Sequence, residues 1–226
     1  MSKAEEYQSK KHELFHVKLT GNEEISPGVH VISWKRNCDF LPGQVVKIAM
    51  GEHDQPRIYS VCSGNHETEI RVLFNIKEEG ELTPKLSACI PGETIWASKV
   101  YGGFIGNEKS AWWIATGTGV APFYSMFRSG LGKGKTLIHG ARFLTQFYFE
   151  DELEWALGNK YIRCCSQEQS CDVFPGRVTD YLKQVEKLPA NYQYFLCGKA
   201  LMVVEVRDLL IEKGIPYENI IAEIYF

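Results

Sequence analysis

The first hundred residues form a series of short segments in which hydrophobic and polar positions alternate or β-branched residues cluster. This pattern is typical of half-buried strands, and turn signals such as Pro42-Gly43 and Pro91-Gly92 separate the segments. The predicted strands cover residues 14–20, 29–35, 44–50, 57–63, 70–77 and 93–98. Six short strands at this spacing predict an N-terminal antiparallel β-barrel.

The pattern changes after Tyr101-Gly102-Gly103, where apolar runs begin to alternate with helix-like stretches. The predicted strands are 111–116, 136–141, 161–166, 192–198 and 220–226, and the predicted helices start at 122 or cover 150–157, 177–185 and 200–213. Strands that alternate with helices predict βαβ units in an α/β doubly wound parallel sheet. We therefore expect two domains, residues 1–106 and 107–226.

Composition supports a globular protein and excludes other classes. Of 226 residues, 44% are hydrophobic and 23% are charged, and the net charge is −3. So weak a charge balance does not indicate a nucleic-acid surface. The polar N-terminus lacks the apolar stretch of a signal peptide, and the longest uncharged run, 110–127, is interrupted by glycines and a proline. We expect a soluble, cytoplasmic protein with no membrane or nucleic-acid partner.

The seven cysteines do not follow a metal-binding pattern. No pair has zinc-ribbon or C-x-x-C spacing, and the C-x₄-C-x₂-C spacing of an iron–sulfur site is missing. We expect most of these thiols to be reduced and buried, and we predict no metal site. The vicinal pair Cys164-Cys165 has no role beyond a buried strand in this interpretation.

Two motifs in the second half indicate nucleotide chemistry. Residues 116–122, TGTGVAP, lie where a strand ends and a helix begins, and glycines there let the backbone approach a phosphate. Arg142 follows the second strand of the predicted sheet, where an acid would bind a ribose 2′-OH and an arginine can neutralise a 2′-phosphate. Taken alone, the glycines also fit an ordinary turn, and Arg142 fits a solvated surface residue.

One barrel strand carries a third candidate motif, Arg57-Ile58-Tyr59-Ser60. Its side chains suit a phosphate, a flat aromatic ring and a ring nitrogen or oxygen. A tyrosine in a barrel strand is more often part of the core, so this alternative stays open.

Together these motifs form an ordered set: RxYS in the barrel, GTGxAP after the domain boundary, Cys197-Gly198 after a late strand, and an aromatic C-terminus. The set resembles the ferredoxin–NADP⁺ reductase family from about Pro42 to the end, and residues 222–226 are similar to the bacterial subclass. The resemblance implies an FAD-binding barrel followed by an NADP-binding α/β domain. It implies FAD and NADP(H) as cofactors, with NAD(H) as the alternative to NADP(H).

The resemblance also implies flavin contacts from the RxYS strand, from the next flavin-lining strand and from the start of a short helix over the FAD pyrophosphate. These residues are Arg57, Ile58, Tyr59, Ser60, Phe74, Asn75, Ile76, Glu81, Leu82 and Thr83. Ser60 would face the flavin N5 region. Thr83 also fits an ordinary helix N-cap.

For the dinucleotide, the implied contacts follow the parallel strands. These residues are Thr116, Gly117, Thr118, Gly119, Ala141, Arg142, Ser166, Gln167, Arg177 and Gly198. The implied catalytic residues are Ser60, Cys197, Glu223 and Tyr225. Cys197 would lie near the nicotinamide C4, Glu223 would supply a proton, and Tyr225 would stack on the isoalloxazine. Phe226 would lie toward the adenine. Without the family, Cys197 fits a structural cysteine and Glu223 fits a surface glutamate.

One departure affects the choice of dinucleotide. The NADP-specific members carry an arginine after the serine of the third strand, whereas here Gln167 follows Ser166. A charged hydrogen bond is worth about 1.5–3 kcal/mol, so its loss weakens the preference for NADPH and leaves NADH as an alternative.

The function implied is that of an FAD-dependent oxidoreductase. It would transfer hydride between NAD(P)H and FAD and exchange single electrons with ferredoxin or flavodoxin, as a monomer. The first alternative is an NAD(P)H:flavin reductase or the reductase component of an oxygenase. The second is a non-enzymatic FAD-binding electron-transfer or sensor subunit. Dihydroorotate-dehydrogenase-type accessory subunits share the fold, but they carry a cysteine-rich tail that we do not expect here.

Overall fold

The computed structural model describes residues 13–225 and contains two six-stranded sheets. The first sheet is antiparallel, in the order β4-β3-β6-β1-β2-β5. Its strands are β1 (Leu14–Ser26), β2 (Val29–Lys35), β3 (Val45–Ala49), β4 (Arg57–Ser60), β5 (Glu69–Asn75) and β6 (Thr94–Ser98). A bridge between Val61 and Val72 joins the chain after β4 to β5 and closes the sheet into the predicted barrel. Helix α1 (Thr83–Ala88) lies between β5 and β6.

Alternation of side chains explains the barrel core. Val17 and Leu19 of β1 and Ile32 and Trp34 of β2 point inward and are almost fully buried. The structure extends β1 beyond its predicted end at residue 20, because the β1–β2 hairpin continues to the turn with two register shifts. A bulge of this kind interrupts the alternation from which strands are predicted.

The second sheet is entirely parallel, in the order β10-β9-β8-β7-β11-β12, as predicted for an α/β unit. Its strands are β7 (Ala111–Thr116), β8 (Lys135–Ala141), β9 (Tyr161–Cys165), β10 (Phe174–Pro175), β11 (Gln193–Lys199) and β12 (Ile220–Tyr225). Its helices are α2 (Ala121–Met126), α3 (Glu150–Leu157), α4 (Val178–Gln184) and α5 (Ala200–Glu212). Within residues 13–225, no helix has both the length and the apolar character needed to cross a bilayer.

The two sheets pack against each other through one shared core. Val31 and Leu73, on the outer face of the barrel, belong to the same buried cluster as Phe123 and Phe195 of the parallel unit. Phe104, in the connection between the sheets, contacts both of these phenylalanine rings edge-on. The predicted domain division at 106/107 lies within this connection and stays a prediction.

A buried lysine holds the same connection in place. Lys135 is 2% exposed, and its ammonium donates hydrogen bonds to the carbonyls of Asn107, at 2.8 Å, and of Lys109. Burial lowers the pKa of Lys135.

The seven cysteines are unpaired and most are buried, as predicted, although Cys171 is exposed.

Candidate functional site

The carboxyl end of barrel strand β4 meets edge strand β12 of the parallel sheet, and three polar side chains converge there. The Ser60 hydroxyl donates to Glu223 Oε2 at 3.0 Å, and the Tyr225 hydroxyl donates to Ser60 Oγ at 2.6 Å. Cys197, on β11, lies directly beside Glu223 in the parallel register. The four residues predicted as catalytic, distant in sequence, therefore form one cluster at the junction of the sheets.

Burial controls the charge states of this cluster. It raises the pKa of Glu223 from 4.5 to about 7, and the hydrogen bond from Ser60 offsets part of that rise. The pKa of the Cys197 thiol is raised well above its usual value by burial and by the neighbouring Glu223. A thiol in this environment stays protonated, so Cys197 is suited to packing rather than to nucleophilic attack.

The glycine motif follows β7 and packs against the same cluster. A Cβ atom on Gly119 would lie 2.4 Å from the Cys197 carbonyl oxygen, and one on Gly198 would lie 2.3 Å from Thr116 Oγ1. Only glycine permits these close approaches between the two strand ends. Thr116 Oγ1 is buried and has no hydrogen-bond partner among the described residues. An unpaired buried hydroxyl is costly, so its position fits a site that receives a polar ligand group.

Sequence reasoning missed a histidine that supports this loop. His139 on β8 is fully buried; its Nε2 lies 3.3 Å from the Gly117 carbonyl and its Nδ1 lies 3.1 Å from the Tyr161 hydroxyl. Because a carbonyl oxygen only accepts, Nε2 carries the proton and Nδ1 accepts from Tyr161. Burial lowers the pKa of His139 to about 4, so the ring is neutral. A histidine inside the largely apolar predicted strand 136–141 was the available signal.

In the barrel, the solvent exposure of the RxYS residues decreases along strand β4. Arg57 and Ile58 are exposed, Tyr59 is half-buried and Ser60 is buried. Burial raises the pKa of Tyr59 to about 12, and the charge of Arg57 opposes that shift. No ion pair to Arg57 occurs among residues 13–225, so its guanidinium is available to a phosphate there.

Two of the predicted flavin residues, Phe74 and Thr83, have buried side chains, and their flavin contacts stay predictions. Phe74 is 2% exposed and packs in the barrel core, so its side chain does not line the surface of β5; Asn75 and Ile76 beyond it are half-exposed. Thr83 does not cap α1: Leu82 holds the N-cap position, and Thr83 Oγ1 accepts from the Lys77 amide at 2.8 Å. Glu81, in the turn before α1, is exposed.

The other predicted dinucleotide residues lie along one edge of the parallel sheet. Arg142 follows β8, Ser166 and Gln167 follow β9, and Arg177 follows β10. The register pairs Ala141 with Cys165 and Cys165 with Pro175, so these three strands end at the same edge. Both arginines are exposed. Neither arginine forms an ion pair with another of residues 13–225, and two such cations near a serine hydroxyl suit an anionic group.

The remaining predicted residues belong to the turn after β7 and to the C-terminus. Gly117 has φ of +53° in the turn that follows β7, and Thr118 beside it is half-exposed. Phe226 lies outside the described residues. In the described part of the chain, no three His, Cys, Asp or Glu side chains are grouped as they would be around a metal ion.

Known proteins resemble this chain over nearly its full length. The family described as "Oxidoreductase NAD-binding domain" matches residues 113–208. "Ferredoxin--NADP reductase B" of Sorangium cellulosum is 30% identical, over 94% of this chain and 98% of that protein. The "probable dihydroorotate dehydrogenase B (NAD(+)), electron transfer subunit" of Pyrococcus furiosus is 25% identical, over 92% of this chain and 77% of that protein.

A solved structure shares the arrangement of the two sheets. The crystal structure of a ferredoxin NADP⁺ reductase from Neisseria gonorrhoeae with bound FAD and NADP superposes with a TM-score of 0.85. The superposition covers 95% of this chain and 99% of that chain, and the two sequences are 21% identical. The predicted combination of a barrel with a parallel α/β sheet is thereby confirmed.

Proposed function

Because the chain belongs to the ferredoxin–NADP⁺ reductase family, we propose that the crevice between its sheets binds FAD and a nicotinamide dinucleotide and serves electron transfer to a protein carrier. The protein is an oxidoreductase of the FAD-dependent type that takes electrons from a pyridine nucleotide. Bound FAD supplies the conversion between two-electron and one-electron chemistry. The observation that carries the assignment of the site is the 3.0 Å hydrogen bond from Ser60 to Glu223 across the two sheets.

In this proposal the barrel residues bind and orient the flavin. The Arg57 guanidinium neutralises a phosphate of FAD, and the Tyr59 ring supplies a flat apolar surface. The buried Thr116 hydroxyl, which has no hydrogen-bond partner among the described residues, would be available to a polar group of FAD. These groups fit FAD because they combine an available cation, an aromatic side chain and an unsatisfied buried hydroxyl.

Glu223 is the proposed proton source. Its pKa of about 7 keeps a large fraction protonated near neutral pH, and Ser60 fixes the orientation of the carboxyl group. Cys197 packs beside it as a neutral thiol, and Tyr225 closes the cluster against Ser60. Ser60, Cys197 and Tyr225 together position the reacting groups and keep water from the Glu223 carboxyl group.

The proposed partner is a soluble one-electron carrier, ferredoxin or flavodoxin, and we propose a cytoplasmic monomer. A second candidate, an electron-transfer component that serves a partner enzyme directly, is favoured by the 25% identity to a dihydroorotate dehydrogenase electron transfer subunit over 92% of this chain. The absence of an arginine at Gln167 favours the same candidate, since that subunit is described as NAD(+)-linked.

The test is an anaerobic titration of the purified, flavin-loaded protein. We expect visible flavin absorption that NADPH or NADH bleaches, followed by reoxidation when oxidised ferredoxin or flavodoxin is added. Bleaching without reoxidation by either carrier would favour the partner-enzyme candidate. A protein that retains FAD but is not bleached by either nucleotide would be a binding subunit. A protein that takes up no added FAD contradicts the proposal.

A further inference from the structure

The loops that follow β8 and β9 are joined by a series of hydrogen bonds. The Ser166 amide donates to the Ala141 carbonyl at 3.1 Å, and the Gln167 amide donates to the Arg142 carbonyl at 3.0 Å. One residue further on, Glu168 Oε2 accepts the Leu144 amide at 2.6 Å. The Glu168 carboxylate is therefore held against the loop that begins with Arg142, although it belongs to the loop of another strand.

This fixed carboxylate lies at the edge where the chain carries its exposed arginines. In open α/β sheets the ligand binds outside the carboxyl ends of the strands, and an acid near the end of the second strand accepts a hydrogen bond from a ribose 2′-OH. Here that strand is followed by Arg142, whereas the loop of the third strand brings the acid to the same place. The charges at this edge are thus mixed.

We propose that Glu168 is a specificity-determining residue that disfavours a 2′-phosphorylated dinucleotide and favours one with a free 2′-hydroxyl. A carboxylate accepts a hydrogen bond from a hydroxyl but repels a phosphate dianion. The bond from the Leu144 amide holds the carboxylate beside the loop that begins with Arg142, where a 2′-phosphate would bind. This inference rests on the proposed function, because it assigns selectivity to the same dinucleotide site.

Two arginines and a second carboxylate lie near the same edge. Arg142 and Arg177 favour a phosphate, and Gln167 adds no charge. The nearby Asp180 carboxylate accepts the Arg177 amide at 2.9 Å in the first turn of α4. Asp180 therefore serves the helix start, whereas Glu168 is anchored on the Arg142 loop. The balance between the arginines and Glu168 determines how strongly the 2′-phosphate is preferred.

The substitution Glu168→Gln isolates the charge. A glutamine keeps a carbonyl oxygen that can accept the Leu144 amide, so the loop contact is preserved while the negative charge is lost. The matched control is Glu186→Gln, which removes the same charge from an exposed position beyond the other end of α4.

Binding of two non-reacting probes, 2′-phospho-AMP and 5′-AMP, is measured by calorimetry on the flavin-loaded proteins. We expect Glu168→Gln to tighten 2′-phospho-AMP binding about three- to tenfold, as for a partly screened charge pair, and to leave 5′-AMP binding within about twofold. The ratio of kcat/KM for NADPH to that for NADH should rise by the same factor. Glu186→Gln should change neither ratio.

The inference would be overturned if Glu168→Gln changed the affinity for both probes equally or changed neither affinity. It would also be overturned if the unaltered protein bound neither 2′-phospho-AMP nor 5′-AMP. If neither NADPH nor NADH reduced the flavin of the unaltered protein, while Glu168→Gln still changed probe binding selectively, the proposed function alone would be contradicted.

Discussion

Glu223 is the side chain of the site whose charge changes near neutral pH. Burial raises its pKa from 4.5 to about 7 in the folded protein, whereas in the unfolded chain it titrates near its ordinary value. Between these values the folded state holds one more proton than the unfolded state. Stability therefore falls as pH rises through this range and is lowest above the folded-state pKa.

Replacing this carboxyl group by an amide should remove the dependence. From about pH 5 to about pH 8, we expect the free energy of unfolding of the unaltered protein to fall by on the order of 2–3 kcal/mol relative to Glu223→Gln. Denaturant unfolding of both proteins at matched pH values measures the difference. Two curves that run parallel across this range would show that Glu223 titrates normally in the folded protein.

For single residues, sequence motifs identify which side chains belong to the site but not which contacts they make. RxYS and the C-terminal segment pointed to Ser60 and Glu223, yet their hydrogen bond requires the packing of two sheets. The sequence did not show on which face of β5 Phe74 lies, because strand alternation gives two sets of side chains without showing which set faces inward; the structure buries its ring in the barrel core. Glu168 carried no motif, since its position depends on a contact with the Leu144 amide.

Among the elements, the turn that follows β7 is limited by its contact with β11. Gly119→Ala would place a Cβ atom 2.4 Å from the Cys197 carbonyl oxygen, a backbone atom that cannot rotate away. We expect a loss of about 2–3 kcal/mol in stability and weaker dinucleotide binding. Gly103→Ala is the control, because nothing lies within 4 Å of its Cβ position. Thermal unfolding and nucleotide titration measure both effects; equal stability of the two variants would contradict the close approach.

His139 supports the same turn from β8. His139→Leu would leave the buried Tyr161 hydroxyl and the Gly117 carbonyl without their partner, which should cost about 2 kcal/mol in stability. Since His139 touches the loop rather than the reacting atoms, we expect KM for the nucleotide to rise several-fold while kcat changes little. Steady-state kinetics gives the two constants separately. His139→Gln can donate to the carbonyl and should restore much of the nucleotide affinity, so equal kinetics of both variants would contradict this role.

The regular elements were predictable because their hydrophobic patterns are local. Strands β2 and β7 and helix α3 occupy the predicted residues. Strand β10 was missed because two residues, Phe174 and Pro175, carry no periodicity and become a strand only by pairing with β9. Local sequence therefore determines which segments form strands, whereas edge pairing depends on the assembled sheet.

Across the whole molecule, the barrel and the parallel sheet depend on one another. The cluster that contains Phe104 includes barrel residues such as Val31 and parallel-sheet residues such as Trp113. The Ser125 hydroxyl also donates to the Ser63 carbonyl at 2.7 Å across the junction. Because the site lies between the sheets, its geometry depends on this shared core rather than on either sheet alone.

Phe104→Ala tests this dependence. The ring is 6% exposed and contacts Phe123 and Phe195, so its removal should leave a cavity and cost about 3–4 kcal/mol. Since the cluster belongs to both units, we expect β2 and β7 to lose protection together when amide hydrogen exchange is followed by mass spectrometry. Ile90→Ala is the control, as its side chain is 64% exposed and should change stability by less than about 1 kcal/mol. Faster exchange in β7 alone would mean that the two units unfold independently and that the crevice is assembled from separately stable parts.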